Sequence, residues 1–229
     1  MLFNAIHWNP SEGLDLGFFN LHYYSVMFII AFTLGWYIMK KIYVREGIDI
    51  EKLDSLFIYT VLATLIGARL GHVLFYDWEY FQNNLLEIFL PVRFEPEFQF
   101  TGFRGLASHG AAIGIIVAMY LYAKRVLQKP VLWILDRIVI PVASGAIFVR
   151  IGNFINSEII GKPTGTDYGV VFEKLGEDFA RHPAQLYESG CYLLIFLLLW
   201  FIYWKTDKRF KLGYIFGLFL VLLWTVRFF

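Results

Sequence analysis

The stretch VLWILDRIVIPVASGAIFVRIGNFINSEIIG, Val131–Gly161, decides how the chain is read. Its first part, Val131–Phe148, is almost unbroken apolar sequence, with Asp136 and Arg137 near its start and Pro141 and Gly145 inside it. Its second part brings Arg150, Asn153, Asn156, Ser157 and Glu158 close together. A helix needs about 20 apolar residues to cross ~30 Å of hydrocarbon. Proline and glycine are tolerated within such a helix when neighbours satisfy the freed backbone groups. The stretch therefore predicts a membrane-spanning helix that ends on a polar cluster.

The rest of the chain agrees. Hydrophobic residues make up 58% of its 229 residues, aromatic residues 20%, and the mean hydropathy is +0.57. A soluble domain sits nearer 45–50% apolar, so lipid is the expected solvent. A net charge of +1 gives no basic footprint for a nucleic-acid partner. The single cysteine, Cys191, lies in GCYLLIFLLLWF, which leaves neither a disulfide framework nor a thiol metal site. No H-x-x-x-H or carboxylate-rich pattern supports a metal, and no cofactor is expected. The first residues contain Glu12 and Asp15 but no Lys, Arg or apolar core, so no cleavable signal peptide is expected.

Five or six apolar segments stand out: Leu21–Met39, Leu53–Phe75, His109–Ala123, Val131–Ile151, Leu186–Trp204 and Leu212 to the end. The expected fold is an all-α, polytopic membrane helix bundle. Long polar stretches separate some of the spans, at Asp77–Ser108 and Gly152–Gln185. The short connections carry the basic residues, among them Lys40, Lys41, Arg45, Lys52, Lys124, Arg125, Lys129, Lys205, Lys208, Arg209 and Lys211. By the positive-inside rule these loops are cytoplasmic, which puts the N-terminus and both long stretches outside. In the second span, GARLG (Gly67–Gly71) has the small-xxx-small spacing that lets helices approach closely. Arg69 within it is expensive in lipid and should face the bundle interior or water.

With that orientation, polar groups from every span gather on the outer face. Arg150, Asn153 and Ser157 share a helix face by i, i+3, i+7 spacing, with Asn156 nearby. His109 opens the third span in SHGAAIG, and Tyr23 and Tyr24 open the first. His182, Gln185, Tyr187 and Glu188 surround the start of the fifth in RHPAQLYE, and Arg227 closes the last. Each has a plainer reading: tyrosines form interfacial belts, terminal arginines snorkel to headgroups, and His109 can cap its helix. As a cluster they suit another task. Guanidinium groups match phosphate oxygens bidentately, and a histidine exchanges a proton near neutral pH. No Ser-His-Asp order, phosphate loop or protein nucleophile is present. The residues alone therefore point to a membrane enzyme or binder acting on an anionic phospholipid.

Five blocks in order resemble the bacterial phosphatidylglycerol–prolipoprotein diacylglyceryl transferase family: LHYYS from Leu21, GARLGHVLFY from Gly67, SHGAAIG from Ser108, RIGNFINSEIIG from Arg150 and RHPAQLYE from Arg181. The resemblance covers nearly the whole chain, read as one transferase domain over residues 1–229 with residues 152–182 as a small extracytoplasmic head. It implies transfer of diacylglycerol from phosphatidylglycerol to the lipobox cysteine thiol of a preprolipoprotein. A thioether forms and glycerol phosphate leaves, at the outer side of the bacterial inner membrane among membrane lipids.

The same resemblance implies the site. His109, Arg150, Arg227 and Tyr24 are the catalytic candidates. Arg150, Asn153, Asn156, Glu158, Gly161 and Arg69 are the substrate-binding candidates. The sequence departs from the family at Val149, where a glycine is usual, and in HGAAIG, where HGGLIG is usual. Family members also continue past the arginine equivalent to Arg227 into a glutamate-bearing stretch and a seventh span, which this sequence does not contain. Two other readings stay open. One is an impaired relative that binds phosphatidylglycerol without turnover. The other is a transporter, at which Arg69 and Pro141 hint.

Overall fold

A computed structural model describes residues 5–15, 17, 20–90, 92–93, 98–100 and 105–228; Phe229, where the last predicted span ends, lies outside them. The elements are β1 (Ile6–Trp8), β2 (Gly13–Asp15), β3 (Asn20–His22), α1 (Tyr23–Arg45), α2 (Ile50–Phe75) and the single turn α3 (Trp78–Phe81). They continue with β4 (Val92–Arg93), β5 (Gln99–Phe100), α4 (Ser108–Tyr122), α5 (Val131–Ile155), β6 (Val170–Phe172), α6 (Ala184–Lys205) and α7 (Tyr214–Phe228). A π-helical turn extends α4 to Leu127. Five of these helices are long and apolar enough to cross a membrane, and α7 is apolar over its 15 described residues. Each predicted span thus has its helix, in a polytopic helical membrane protein. Several helices run a few residues further than their apolar cores.

The helices fall into two units, one of Met1–Ile42 with Leu135–Phe229 and the other of Tyr43–Ile134. In the second unit α2 lies against α4 along a seam of glycines. A Cβ on Gly67 would come within 2.5 Å of the Gly110 carbonyl oxygen, and one on Gly71 within 2.5 Å of the Gly110 Cα. Gly114 is likewise pressed against the Ala63 carbonyl. This is the close approach that the small-residue spacing predicts. At one end of the seam the buried Tyr43 and Tyr122 hydroxyls lie 2.8 Å apart.

Arg69 projects from the C-terminal third of α2 and donates from Nε to the Ile88 carbonyl and from Nη2 to the Glu87 carbonyl, both at 2.7 Å. Its guanidinium also lies 4.8 Å from the centre of the Phe81 ring. Arg69 therefore ties the loop after α3 to its own helix. That answers how a charge is accommodated inside an apolar span.

In the first unit, α5 is the helix on which the others are set. Pro141 sits within it, and Gly35 of α1 packs against the proline ring. The Asp136 side chain is fully buried and accepts from the Gly213 and Phe216 amides at 2.7 and 2.8 Å. Those amides belong to the start of α7, so a carboxylate on α5 does the work of an N-cap. Ser189 of α6 donates to the Ile147 carbonyl of α5 at 3.2 Å.

α5 runs to Ile155, so the stretch 152–182, expected to be a small head, begins within the helix and continues past it. Its strand β6 pairs in parallel with β1, with Ile6 opposite Val170 and Trp8 opposite Phe172. Trp8 stacks on Phe154 and donates to its carbonyl at 3.0 Å. Ile6–Trp8 is thus joined to a segment more than 150 residues further along the chain, a contact that no local sequence pattern announces.

Candidate functional site

At one end of the first unit, the C-terminal turns of α5 and α7 meet the first turns of α6. α5 ends at Ile155, so Asn156 and Ser157 lie past it rather than on it. This corrects the expectation that Arg150, Asn153 and Ser157 share a helix face. Ser157 takes a left-handed conformation (φ 58°), its side chain is buried, and its hydroxyl has no partner among the described residues. Ile159 is also left-handed (φ 52°), although it is β-branched and 57% exposed. Side chains rarely take this conformation, and β-branched ones least of all. These two positions bracket Glu158 and turn it back toward the helix it follows.

The charged side chains form a continuous chain of contacts. Glu188 on α6 sits between two arginines: Arg150 Nε on α5 lies 2.5 Å from Oε2, and Arg227 Nη1 on α7 lies 2.9 Å from Oε1 and 3.2 Å from Oε2. Tyr192, one turn along α6, donates to Oε2 at 3.5 Å. Arg150 Nη1 reaches Asn153 Oδ1 at 3.4 Å, and Asn153 Nδ2 donates to Glu158 Oε2 at 3.2 Å. Asn156 Nδ2 donates to the other Glu158 oxygen at 3.3 Å. The buried Gln185 holds the same elbow by donating to the Glu158 carbonyl at 2.7 Å.

Two further predicted residues belong to this end of the unit. The Tyr24 ring lies so close over Gly152 that a Cβ there would come within 2.8 Å of it, so this glycine makes room for the tyrosine. Gly161 approaches the His182 backbone, its amide donating to the His182 carbonyl at 3.2 Å, and a side chain at 161 would strike that oxygen. His109 and Arg69 belong to the other unit. His109 is exposed in the first turn of α4. Arg69 has two donors committed to backbone carbonyls.

Chemically, the arginine pair is not a bare dication. Glu188 neutralises part of it, and its role was missed in the sequence because the partners lie far apart in the chain. The available signal was that two arginines at the ends of apolar helices need a counter-charge, and Glu188 is the carboxylate in the RHPAQLYE block. Donors remain available even so. Arg227 uses Nη1 for Glu188, its side chain is 42% exposed, and its Nε and Nη2 have no partner among the described residues. Two guanidinium groups held on one carboxylate can receive a phosphate without first being brought together.

In the head, Arg181 donates to the Glu177 carboxylate at 2.5 and 2.6 Å and to the Gly161 carbonyl at 3.2 Å. These hydrogen bonds hold the Glu177 carboxyl below its ordinary range and raise Arg181. Arg181 therefore fastens the strand beside Gly161, with its charge already matched.

Comparison with known proteins gives a consistent result. Residues 12–229 match the family model described as prolipoprotein diacylglyceryl transferase. A protein of Tolumonas auensis named phosphatidylglycerol–prolipoprotein diacylglyceryl transferase is 41% identical over 97% of this chain and 82% of its own length. One of the same name from Bacteroides fragilis is 39% identical over 98% of the chain and 82% of its own length. A third, from Porphyromonas gingivalis, is 41% identical over 90% of the chain and 73% of its own length.

Proposed function

The chain belongs to the prolipoprotein diacylglyceryl transferase family, and on that premise we propose how its residues carry out the reaction. The protein is a multi-pass membrane transferase that moves a diacylglyceryl group from phosphatidylglycerol to a prolipoprotein. In the reading we favour, the acceptor is the thiol of the lipobox cysteine, which supplies the nucleophile that this chain lacks. The thiolate sulfur attacks the diacylglyceryl carbon bonded to the phosphate oxygen. The C–O bond breaks, a thioether forms, and glycerol phosphate leaves with the bonding electron pair.

Arg150 and Arg227 bind the phosphate and stabilise the charge that develops on the leaving oxygen. The observation that supports this role is their meeting on Glu188 with guanidinium donors left over. Asn153, Asn156 and Glu158 take the headgroup hydroxyls: the carboxylate accepts from them, and the two amides can accept or donate. Tyr24 and Gly161 keep the walls of the site in place. His109 assists removal of the thiol proton. The basic short loops support a site on the extracytoplasmic side of the inner membrane.

The test is to incubate the protein in phosphatidylglycerol vesicles with a lipobox peptide and look for diacylglyceryl-cysteine by mass spectrometry. Arg150→Ala should weaken lipid binding and lower product formation together, by about 10²–10³-fold. His109→Ala should leave lipid binding intact and slow product formation by about 10²–10⁴-fold. An unmodified peptide from the native chain would overturn the reading, and unchanged rates in both variants would overturn the residue roles.

A further inference from the structure

We propose that Glu188 matches the charge of the site to the substrate and drives out the product. The carboxylate contacts Arg150 from α5, Arg227 from α7 and Tyr192 from its own helix. Glu158, the other carboxylate at this end, is separated from Arg150 by the Asn153 amide. The three charged groups in direct contact therefore sum to one positive charge. Arg150 and Glu188 are both mostly buried, at 14% and 17% side-chain exposure, so solvent screens that charge only in part.

The reaction changes the charge that this site has to hold, and the inference rests on the reading that glycerol phosphate is the leaving group. Phosphatidylglycerol is a phosphodiester with one negative charge. When the thiolate displaces it, the sulfur–carbon bond forms and the carbon–oxygen bond breaks. The electron pair stays on the phosphate, and the thiolate's charge passes with it. The released monoester is a dianion above its second pKa of about 6. A site of one positive charge is neutral with the diester and carries an excess negative charge with the monoester. Without Glu188 the two arginines would be best satisfied by the dianion, and the enzyme would hold its product. The carboxylate also spares the arginines mutual repulsion before lipid arrives, so it holds the site ready and limits what the site retains.

A residue that only clamped α5, α6 and α7 together would weaken every ligand equally, and this separates the two roles. The full chain in lipid nanodiscs would be titrated calorimetrically at pH 7.5 with two soluble probes, glycerophosphoglycerol as the diester and glycerol 1-phosphate as the monoester. Glu188→Gln should shift the ratio of the two affinities toward the monoester by about tenfold or more, as expected for removing one charge at a few ångströms. Glu188→Asp should keep the native ratio. At pH 5, where the monoester is mostly a monoanion, the native protein should discriminate less. An unchanged ratio in Glu188→Gln, or weaker binding of both probes by the same factor, would overturn the proposal, as would failure of the native protein to bind either. Peptide modification, measured separately, decides the transferase reading. A native chain without turnover would sink that reading, and the affinity ratio would still decide the part played by Glu188.

Discussion

Between α2 and α4 the backbones touch because Gly67, Gly71, Gly110 and Gly114 have no side chains to keep them apart. Between α5, α6 and α7 the contact is made by long charged side chains, Arg150, Glu188 and Arg227. The glycine seam gains dispersion contacts from shape alone and contains nothing that a ligand could displace. The ionic seam is held by groups with unused hydrogen-bonding capacity, in surroundings where an unmatched charge is costly. A substrate anion can enter the second kind of seam and has no foothold in the first. The difference separates a contact that builds the protein from one that is available for chemistry.

The largest effect should come from the ionic seam. Arg150→Ala leaves Glu188 paired with Arg227, so folding should survive, while transfer to the peptide falls by about 10²–10³-fold, as for loss of one transition-state donor. A rate within a few-fold of native would show that this seam is structural after all. Next comes the glycine seam, where the effect should be on stability. Gly110→Val forces α2 and α4 apart and should cost about 1–3 kcal/mol, read from unfolding in detergent. Were that variant as stable as the native chain, the seam would not be the close contact described.

The elbow around Glu158 should respond to glycine with the opposite sign. Ile159 is exposed and held at φ 52°, so Ile159→Gly relieves backbone strain and loses little packing. A gain of about 0.5–1 kcal/mol is expected in the same unfolding measurement. Loss of stability would mean that the isoleucine side chain matters more than its backbone angle. The smallest effect concerns the head. Because Glu177 is depressed when folded, its pairing with Arg181 stabilises the head above its ordinary value of 4.5, and this is lost as the pH falls below it. Glu177→Gln should remove that part of the acid sensitivity, measured by hydrogen exchange of the amides near Arg181. An acid profile unchanged in the variant would assign the sensitivity to other groups.

How much of this was legible in the sequence follows the range of the interactions. The spans could be read because each is a local run of apolar residues, and the small-residue spacing of GARLG foretold the glycine seam. The meeting of Arg150, Asn153, Asn156, Glu158 and Arg227 at one end followed from alternation of spans across a membrane. What could not be read depends on partners distant in sequence or on unusual backbone angles. Glu188 between two arginines, Trp8 under Phe154 and Asp136 at the start of α7 each join residues far apart in the chain. Ser157 and Ile159 are left-handed without being glycine, so nothing in their identity shows where α5 stops.

The cap that Asp136 places on α7 bears on how the protein is made. The first amides of α7 find their acceptor on another helix, the Asp136 carboxylate of α5. In lipid alone those amides would be left without an acceptor, which is costly. Because α5 is synthesised first, the buried carboxylate is already in position when α7 emerges from the ribosome. Membrane integration of α7 is then a docking step onto an earlier helix, and the helix that carries Arg227 depends at its other end on the Asp136 carboxylate of α5.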